Sequence, residues 1–213
     1  HTPQIGKKKR LTELADRNAK QAYLDKVRTD KTARTAIERL QKVLHLKMLP
    51  ERIECFDISH FQGSEIVASA VCFINGQPAK EHYRRYKIKS TTQQDDFQSM
   101  YEVVSRRVHR GIEENDLPDL LVIDGGKGQL SAAQAALQDH GIDSVDILGL
   151  AKSRTDRSKK GSIRTFERIF LSGRKNPVIL GQNSAELFIL VRARDEAHRF
   201  AITLQRKRQR KAS

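Results

Sequence analysis

The sequence predicts an α/β fold: a mixed five-stranded sheet flanked by helices, with an N-terminal helical arm and a late β-hairpin. Three observations carry this reading. Residues 53–60, 66–74 and 79–89 are strand-like runs in succession, the last two joined by Asn75-Gly76, a strong short-range hairpin signal. From residue 95 onward strand and helix patterns alternate, as parallel strands with crossover helices require. At 213 residues and 38% apolar content, the chain is long enough to bury one good core.

The arm comes first, residues 1–50, with the sheet domain over residues 51–213. Residues 9–46 have helical spacing. Leu11, Leu14, Ala15, Ala19, Ala22 and Tyr23 form one stripe, and Ala33, Ala36, Ile37, Leu40, Val43 and Leu44 a second. The polar run 28–31 predicts a break or bend, and Pro50 an end. Such an arm reads as a packing element rather than a wall of a DNA path.

The first strand carries a carboxylate, Asp57, and Gly63 marks the turn after it. The third strand is the most polar, as suits an edge. Asp95 or Asp96 can cap a helix to about residue 110, with Phe97, Met100, Tyr101, Val104 and Val108 inward and Gly111 closing it. Leu120-Leu121-Val122-Ile123 is a buried strand ending in Asp124, and Gly125-Gly126 turns the chain sharply. A helix over 131–140, closed by Gly141, leads to a strand at 145–150. Residues 165–171 and 177–180, with Gly173 between, suggest the hairpin. The last helix starts at Asn183 or Ser184, with Glu186 set to contact Asn183, and turns Leu187, Leu190, Val191, Ala197, Ala201 and Leu204 inward. This order is the plan of a ribonuclease H-like fold. In that sheet the first strand lies beside the fourth, which brings Asp57 and Asp124 together across 67 positions of sequence.

A formal charge of +14 and a pI near 10.0 point to a polyanionic partner, nucleic acid first. The charge is clustered: Lys7-Lys8-Lys9-Arg10, residues 152–164, and Arg206-Lys207-Arg208-Gln209-Arg210-Lys211. Cys55 and Cys72 lack zinc-site spacing and read as reduced core thiols of a cytoplasmic protein. No apolar run reaches membrane-spanning length and no signal peptide precedes the first helix. His1 and the abrupt ends suggest an excised fragment.

Two carboxylates on adjacent strands repel unless a cation joins them. Mg2+ or Mn2+ suits oxygen ligands, water and phosphate. His198, at the margin of the last helix's inner face, is the third candidate. A histidine there is a satisfied structural residue, or a ligand, base or acid. Asp195 reads as a surface partner of Arg199 and Arg192, and Glu196 of Arg192. Asp96 reads first as a cap, with a cleft-facing role as the alternative. His60, Lys127, Gln129, Lys152 and Arg154 are candidates for DNA phosphates. So are Arg84 and Arg85 beside Tyr83 and Tyr86, a mixture suited to backbone contact and stacking. Gly125-Gly126-Lys127-Gly128 differs too much from a P-loop to suggest ATP binding.

Ile53-Glu54-Cys55-Phe56-Asp57-Ile58-Ser59-His60, Tyr83-Arg84-Arg85-Tyr86, Asp95-Asp96-Phe97, Leu121-Val122-Ile123-Asp124-Gly125-Gly126-Lys127-Gly128-Gln129-Leu130 and Arg194-Asp195-Glu196-Ala197-His198-Arg199-Phe200-Ala201 resemble the UvrC family in order and spacing. UvrC is the incision subunit of the bacterial UvrABC excinuclease. The resemblance implies its C-terminal, ribonuclease H-like endonuclease domain, which cuts damaged double-stranded DNA on the 5′ side of a lesion. It implies UvrB as partner, UvrA upstream, and a place in nucleotide excision repair and the SOS response. It puts Asp57, Asp124 and His198 at the family's catalytic, metal-holding positions and Asp96 at a further acidic position implicated in activity. Phe61 departs from the small polar residue common there. The family's 3′-cutting domain, UvrB-interacting segment and helix-hairpin-helix region are absent from the sequence. Two other readings remain: an endonuclease V-like repair nuclease, and a non-catalytic DNA-binding scaffold on the same fold.

Overall fold

A long helix opens the chain because nothing in it stops one. The computed structural model describes residues 7–60, 66–90, 95–152 and 166–212. Helix α1 runs Lys7–Leu44 without interruption. No Gly or Pro lies between residues 7 and 44, so the hydrogen-bond ladder continues through 28–31, where the polar run predicts a break. The helix stops before Pro50. His45 takes left-handed backbone at φ 54, and Leu46 N–H returns to the Gln41 carbonyl at 3.0 Å. Ala36, Ile37, Leu40 and Leu44 are buried. In the predicted earlier stripe, Leu14 and Ala19 are exposed, and the other side chains lie outside the described set.

Strands β1 (Arg52–His60) and β2 (Ile66–Ile74) pair antiparallel over their whole length. The predicted hairpin follows, with Asn75 at φ 51 and Gly76 at φ 75, as a twisted two-residue turn needs. The predicted third strand is broken into β3 (Gln77–Pro78), a 3₁₀ turn at Lys80–His82, and β4 (Arg84–Lys87). The ladder continues past Pro78 to the Ala79 N–H, which donates to the Cys72 carbonyl at 2.9 Å, and the 3₁₀ turn then interrupts it. Both pieces pair with β2.

Helix α2 (Asp96–Glu113) is capped by Asp95, whose side chain accepts from Phe97 N and Gln98 N. Gly111 is not its terminator. A Cβ there would lie 2.6 Å from Leu117, so this glycine serves close packing, and the left-handed residue is Asn115 at φ 50. Strand β5 (Leu120–Asp124) runs parallel to β1. Helix α3 (Lys127–Asp139) begins at once after Gly126, earlier than its apolar spacing suggests, and Gly141 closes it at φ 67. Strand β6 (Asp146–Lys152) is parallel to β5, and β7 (Glu167–Leu171) antiparallel to β6. The predicted late hairpin is thus half formed. Its first arm gains a full ladder on the open edge of β6, and its return meets β7 only at the Ile169–Val178 bridge. Helix α4 (Ala185–Ala212) is capped by Ser184, whose Oγ accepts from Leu187 N at 3.3 Å. Glu186 Oε2 is buried without a partner and makes no capping contact to Asn183.

The result is one sheet of seven strands, ordered β3-β2-β1-β5-β6-β7 with β4 also on β2. Side-chain alternation divides the core. Ile53, Cys55, Val71, Phe73, Leu120, Val122, Leu148 and Leu150 pack against α1 and α4. Phe56, Ala68, Tyr86, Leu121 and Ile123 pack against α2 and α3. Each fully buried Leu, Ile or Phe contributes about 1.5–3 kcal/mol. On the α2 face a charged pair sits within this core: Arg107 reaches both oxygens of Glu54, at 2.7 and 2.8 Å.

Candidate active site

Asp57 and Asp124 share the α4 face because of strand register. Phe56 is level with Ile123 in the β1–β5 pair, so the two carboxylates follow side by side. Asp57 stands on the same alternation as Ile53 and Cys55, Asp124 on that of Leu120 and Val122. Asp57 is 6% exposed, and Asp124 is half-buried. Helix α4 brings His198 to them, with Nδ1 3.5 Å from Asp57 Oδ2, while its ring remains 61% exposed. One ligand atom from each of Asp57, Asp124 and His198 lies within 4.8 Å of the others. Among the described residues it is the only such group of three or more.

The electrostatics of the pair are strained. Burial pushes Asp57 up, and His198 and Ser59 partly offset it. Asp124 is pushed up to about 6, first by burial and then by Asp57 beside it. Two crowded, desolvated carboxylates are relieved by a proton or by a cation. Two carboxylates and an imidazole within 4.8 Å fit a divalent cation. Asp124 and His198 also line an open cleft of about 390 Å³ with Ala151, Lys152, Arg194 and Asp195. A larger cleft of about 570 Å³, between the α1–β1 link and α3, lies at the opposite end of β6 and gathers no comparable donor set.

The sequence belongs to a known family over most of its length. The signature of the UvrC RNAse H endonuclease domain matches residues 41–202. The chain belongs to this family. The UvrABC system protein C of Bdellovibrio bacteriovorus is 51% identical over 199 residues, covering 92% of this chain and 31% of its own length. That of Anaeromyxobacter dehalogenans is 44% identical over 248 residues, covering 97% and 35%. The chain spans about a third of the length of these curated relatives. Among solved structures, the endonuclease V of Streptomyces avermitilis is 13% identical with a TM-score of 0.45, covering 85% of this chain and 93% of that one.

The remaining candidates in this UvrC-family domain disperse around the site. Asp95 takes the capping role and leaves Asp96 free. Asp96 Oδ1 lies 2.6 Å from His60 Nε2 at the end of β1, and Gln129 Nε2 lies 3.5 Å from its other oxygen. Lys127, now the first residue of α3, donates to the Lys175 carbonyl. Lys152 ends β6 on the cleft wall. Arg85 lies over the Phe200 ring at 4.0 Å, on the α4 side. Arg84 lines a separate crevice with Glu54, Tyr86 and Arg107. Arg154 and Phe61 fall outside the described residues.

Asp195 and Glu196 do not make the predicted pairs with Arg192. Arg192 lies over Phe73 and Phe188 instead. Asp195 meets Arg194, and Glu196 is held by Arg199 through two 2.6 Å bonds and by Tyr83 OH at 3.0 Å. Sequence reasoning missed Arg194, which is 5% exposed and bonded to Glu167 on β7 at 2.6 Å. It also missed Ser69, a buried hydroxyl level with Asp57. The available signals were an arginine among inward α4 positions and a hydroxyl inside an apolar strand.

Proposed function

We propose that this domain is a metal-dependent DNA endonuclease that makes the 5′ incision beside a lesion in bacterial nucleotide excision repair. The single observation that carries the reading is the convergence of Asp57, Asp124 and His198 from β1, β5 and α4. Family membership supports the same activity. Damaged double-stranded DNA is the substrate, UvrB the loading partner with UvrA upstream, and the cytoplasm the compartment. In that setting the cation is Mg2+ or Mn2+, since oxygen donors dominate the set.

Asp57 and Asp124 would hold the cation, with His198 as third member. When bound, the cation supplies charge neutralisation at the scissile phosphate and an acidified water. The two carboxylates orient the site toward the cleft and keep it negative until it is loaded. His198, exposed on the cleft side, is placed to hold a water or pass a proton at the attacked phosphate. In-line attack by water leaves a 3′-hydroxyl and a 5′-phosphate. Asp96 holds the His60 ring toward the end of β1. His60, Gln129, Lys127, Arg84, Arg85 and Lys152 are proposed to meet phosphates, with Lys152 on the wall of the cleft that Asp124 and His198 line.

The deciding experiment is a 5′-incision assay on a pre-nicked, UvrB-loaded damaged duplex, comparing the wild type with Asp124→Ala. Loss of cutting with DNA loading intact is expected. Full 5′ cutting by Asp124→Ala sinks the site assignment.

A further inference from the structure

One turn of α4 is tied to four strands or strand ends at once. Arg194 Nη1 donates to Glu167 Oε2 on β7 at 2.6 Å. Tyr83 OH, immediately before β4, donates to Glu196 Oε1 at 3.0 Å. Ser69 Oγ on β2 donates to the Ala197 carbonyl at 3.0 Å. His198 comes next, against Asp57 on β1.

The His198 side chain is 61% exposed, so little packing around its own ring holds it. The atoms beside it are fixed. Ser69 is 1% exposed and Ala197 fully buried. Ala193, Ala197 and Ala201 recur every four residues on the buried side of α4, and Ser69 of β2 meets Ala197 there, while Ala68 and Ala70 turn to the opposite face of the sheet. Small side chains on both partners let the helix backbone come close to the sheet. Only at that approach can a serine hydroxyl reach a helix carbonyl. A buried hydroxyl that missed such a partner would leave its lost hydration uncompensated. Ser69 is also the cross-strand partner of Asp57. The residue that pins the carbonyl before His198 therefore stands level with the carboxylate His198 must meet. Tyr83 fixes the same turn from its other side. Its ring packs edge-on against Phe200, with centroids 5.2 Å apart, while its hydroxyl holds Glu196.

We infer that Ser69 and Tyr83 are positioning residues that set the height and rotation of this α4 turn, and so place His198 over Asp57 and Asp124. The inference rests on the proposed reading that these three hold a divalent cation. Neither residue touches the cation or the substrate; both act through the backbone and side chains flanking His198. Partners in this outer position commonly change metal affinity or activity by about 10- to 100-fold when removed.

Ser69→Ala and Tyr83→Phe each delete one oxygen and keep the carbon packing. In the full 213-residue chain, Mn2+ affinity is measured by the electron-paramagnetic signal of free Mn2+. The His198 ring resonances are followed by nitrogen-15 spectroscopy without metal. Each variant is expected to bind Mn2+ about tenfold more weakly and to shift the His198 resonances. In the incision assay kcat at limiting Mn2+ should fall, recover at high Mn2+, and leave the KM for DNA unchanged. Wild-type Mn2+ affinity and wild-type His198 resonances in both variants overturn the inference, even if their melting temperatures drop. If Ser69→Ala does not fold, Tyr83→Phe decides by the same criteria. A wild type that takes no Mn2+ overturns the site reading and this inference together, whereas normal binding in wild type and both variants overturns the positioning role alone.

Discussion

Asp124 is the residue whose chemistry depends most on its surroundings. Four apolar residues put it at the end of a central strand, and Asp57 on the adjacent strand makes its ionisation costly. Its folded pKa of about 6 stands above the ordinary 3.8. The sign follows by linkage: a carboxyl raised on folding gives stability that is full below about 4 and is lost as pH rises through about 6. The cation-free protein should therefore melt at a lower temperature at pH 7 than at pH 5, in part through this group. Asp124→Asn should flatten that decline, and Mn2+ at pH 7 should raise the melting temperature of the wild type but barely that of the variant. Scanning calorimetry across this range checks it, and an unchanged slope in Asp124→Asn would remove Asp124 as its cause. Asp95 and Asp96 make a different point. Both look like caps in sequence, and only one can accept the first free amides of α2. Asp95 does so, which leaves Asp96 to face His60 and Gln129.

At the scale of elements, two buried features brace the sheet beneath the site. Arg107 on α2 and Glu54 on β1 form a two-bond pair whose side chains are 7% and 4% exposed. Removing Arg107 leaves Glu54 Oε2 without its donor while Arg52 still holds Oε1 at 2.9 Å, so Arg107→Leu should cost about 1–3 kcal/mol in urea unfolding. A loss under about 1 kcal/mol would mean that water replaces the guanidinium. The second brace is Gly149 on β6. A Cβ there would lie 2.9 Å from the Gly125 carbonyl, and backbone cannot step aside as a flexible side chain does. Gly149→Ala should cost about 1–3 kcal/mol and disturb the turn that carries Asp124. Crystals of that variant with an unmoved Gly125 carbonyl would contradict this. The broken third strand and the half-formed late hairpin belong to this scale too. The polar third strand is split by the 3₁₀ turn at Lys80–His82, and the free edge of β6 captures the first arm of the hairpin.

At the scale of the molecule, a charge of +14 and one open carboxylate-lined cleft pull in opposite directions. The general surplus attracts a polyanion, and the local negative charge repels phosphate until a cation is present. Binding of the chain to duplex DNA should accordingly weaken steeply with salt, with a log–log slope near −0.9 for each phosphate neutralised. Fluorescence anisotropy between about 50 and 200 mM salt measures that slope. A flat response would show that the surplus charge is not used on DNA.

The sequence by itself determined the class of the fold, the order of its elements and the acids that end strands. Those features rest on local pattern: apolar alternation, Asn75-Gly76, and a carboxylate closing Leu120-Leu121-Val122-Ile123. Motif resemblance also pointed to the family. Strand order already predicted Asp57 and Asp124 as neighbours; tertiary structure decided the register, Phe56 level with Ile123, that sets them side by side. It alone decided which of two adjacent aspartates caps α2. It showed that Glu196 and Arg194 are not ordinary surface charges but attachments of the His198 turn to β7 and to Tyr83. The physical reason is range. Propensity and periodicity act over a few residues, whereas ladder register, burial and the close approach of α4 to β2 join positions more than a hundred residues apart, such as Ser69 and Ala197.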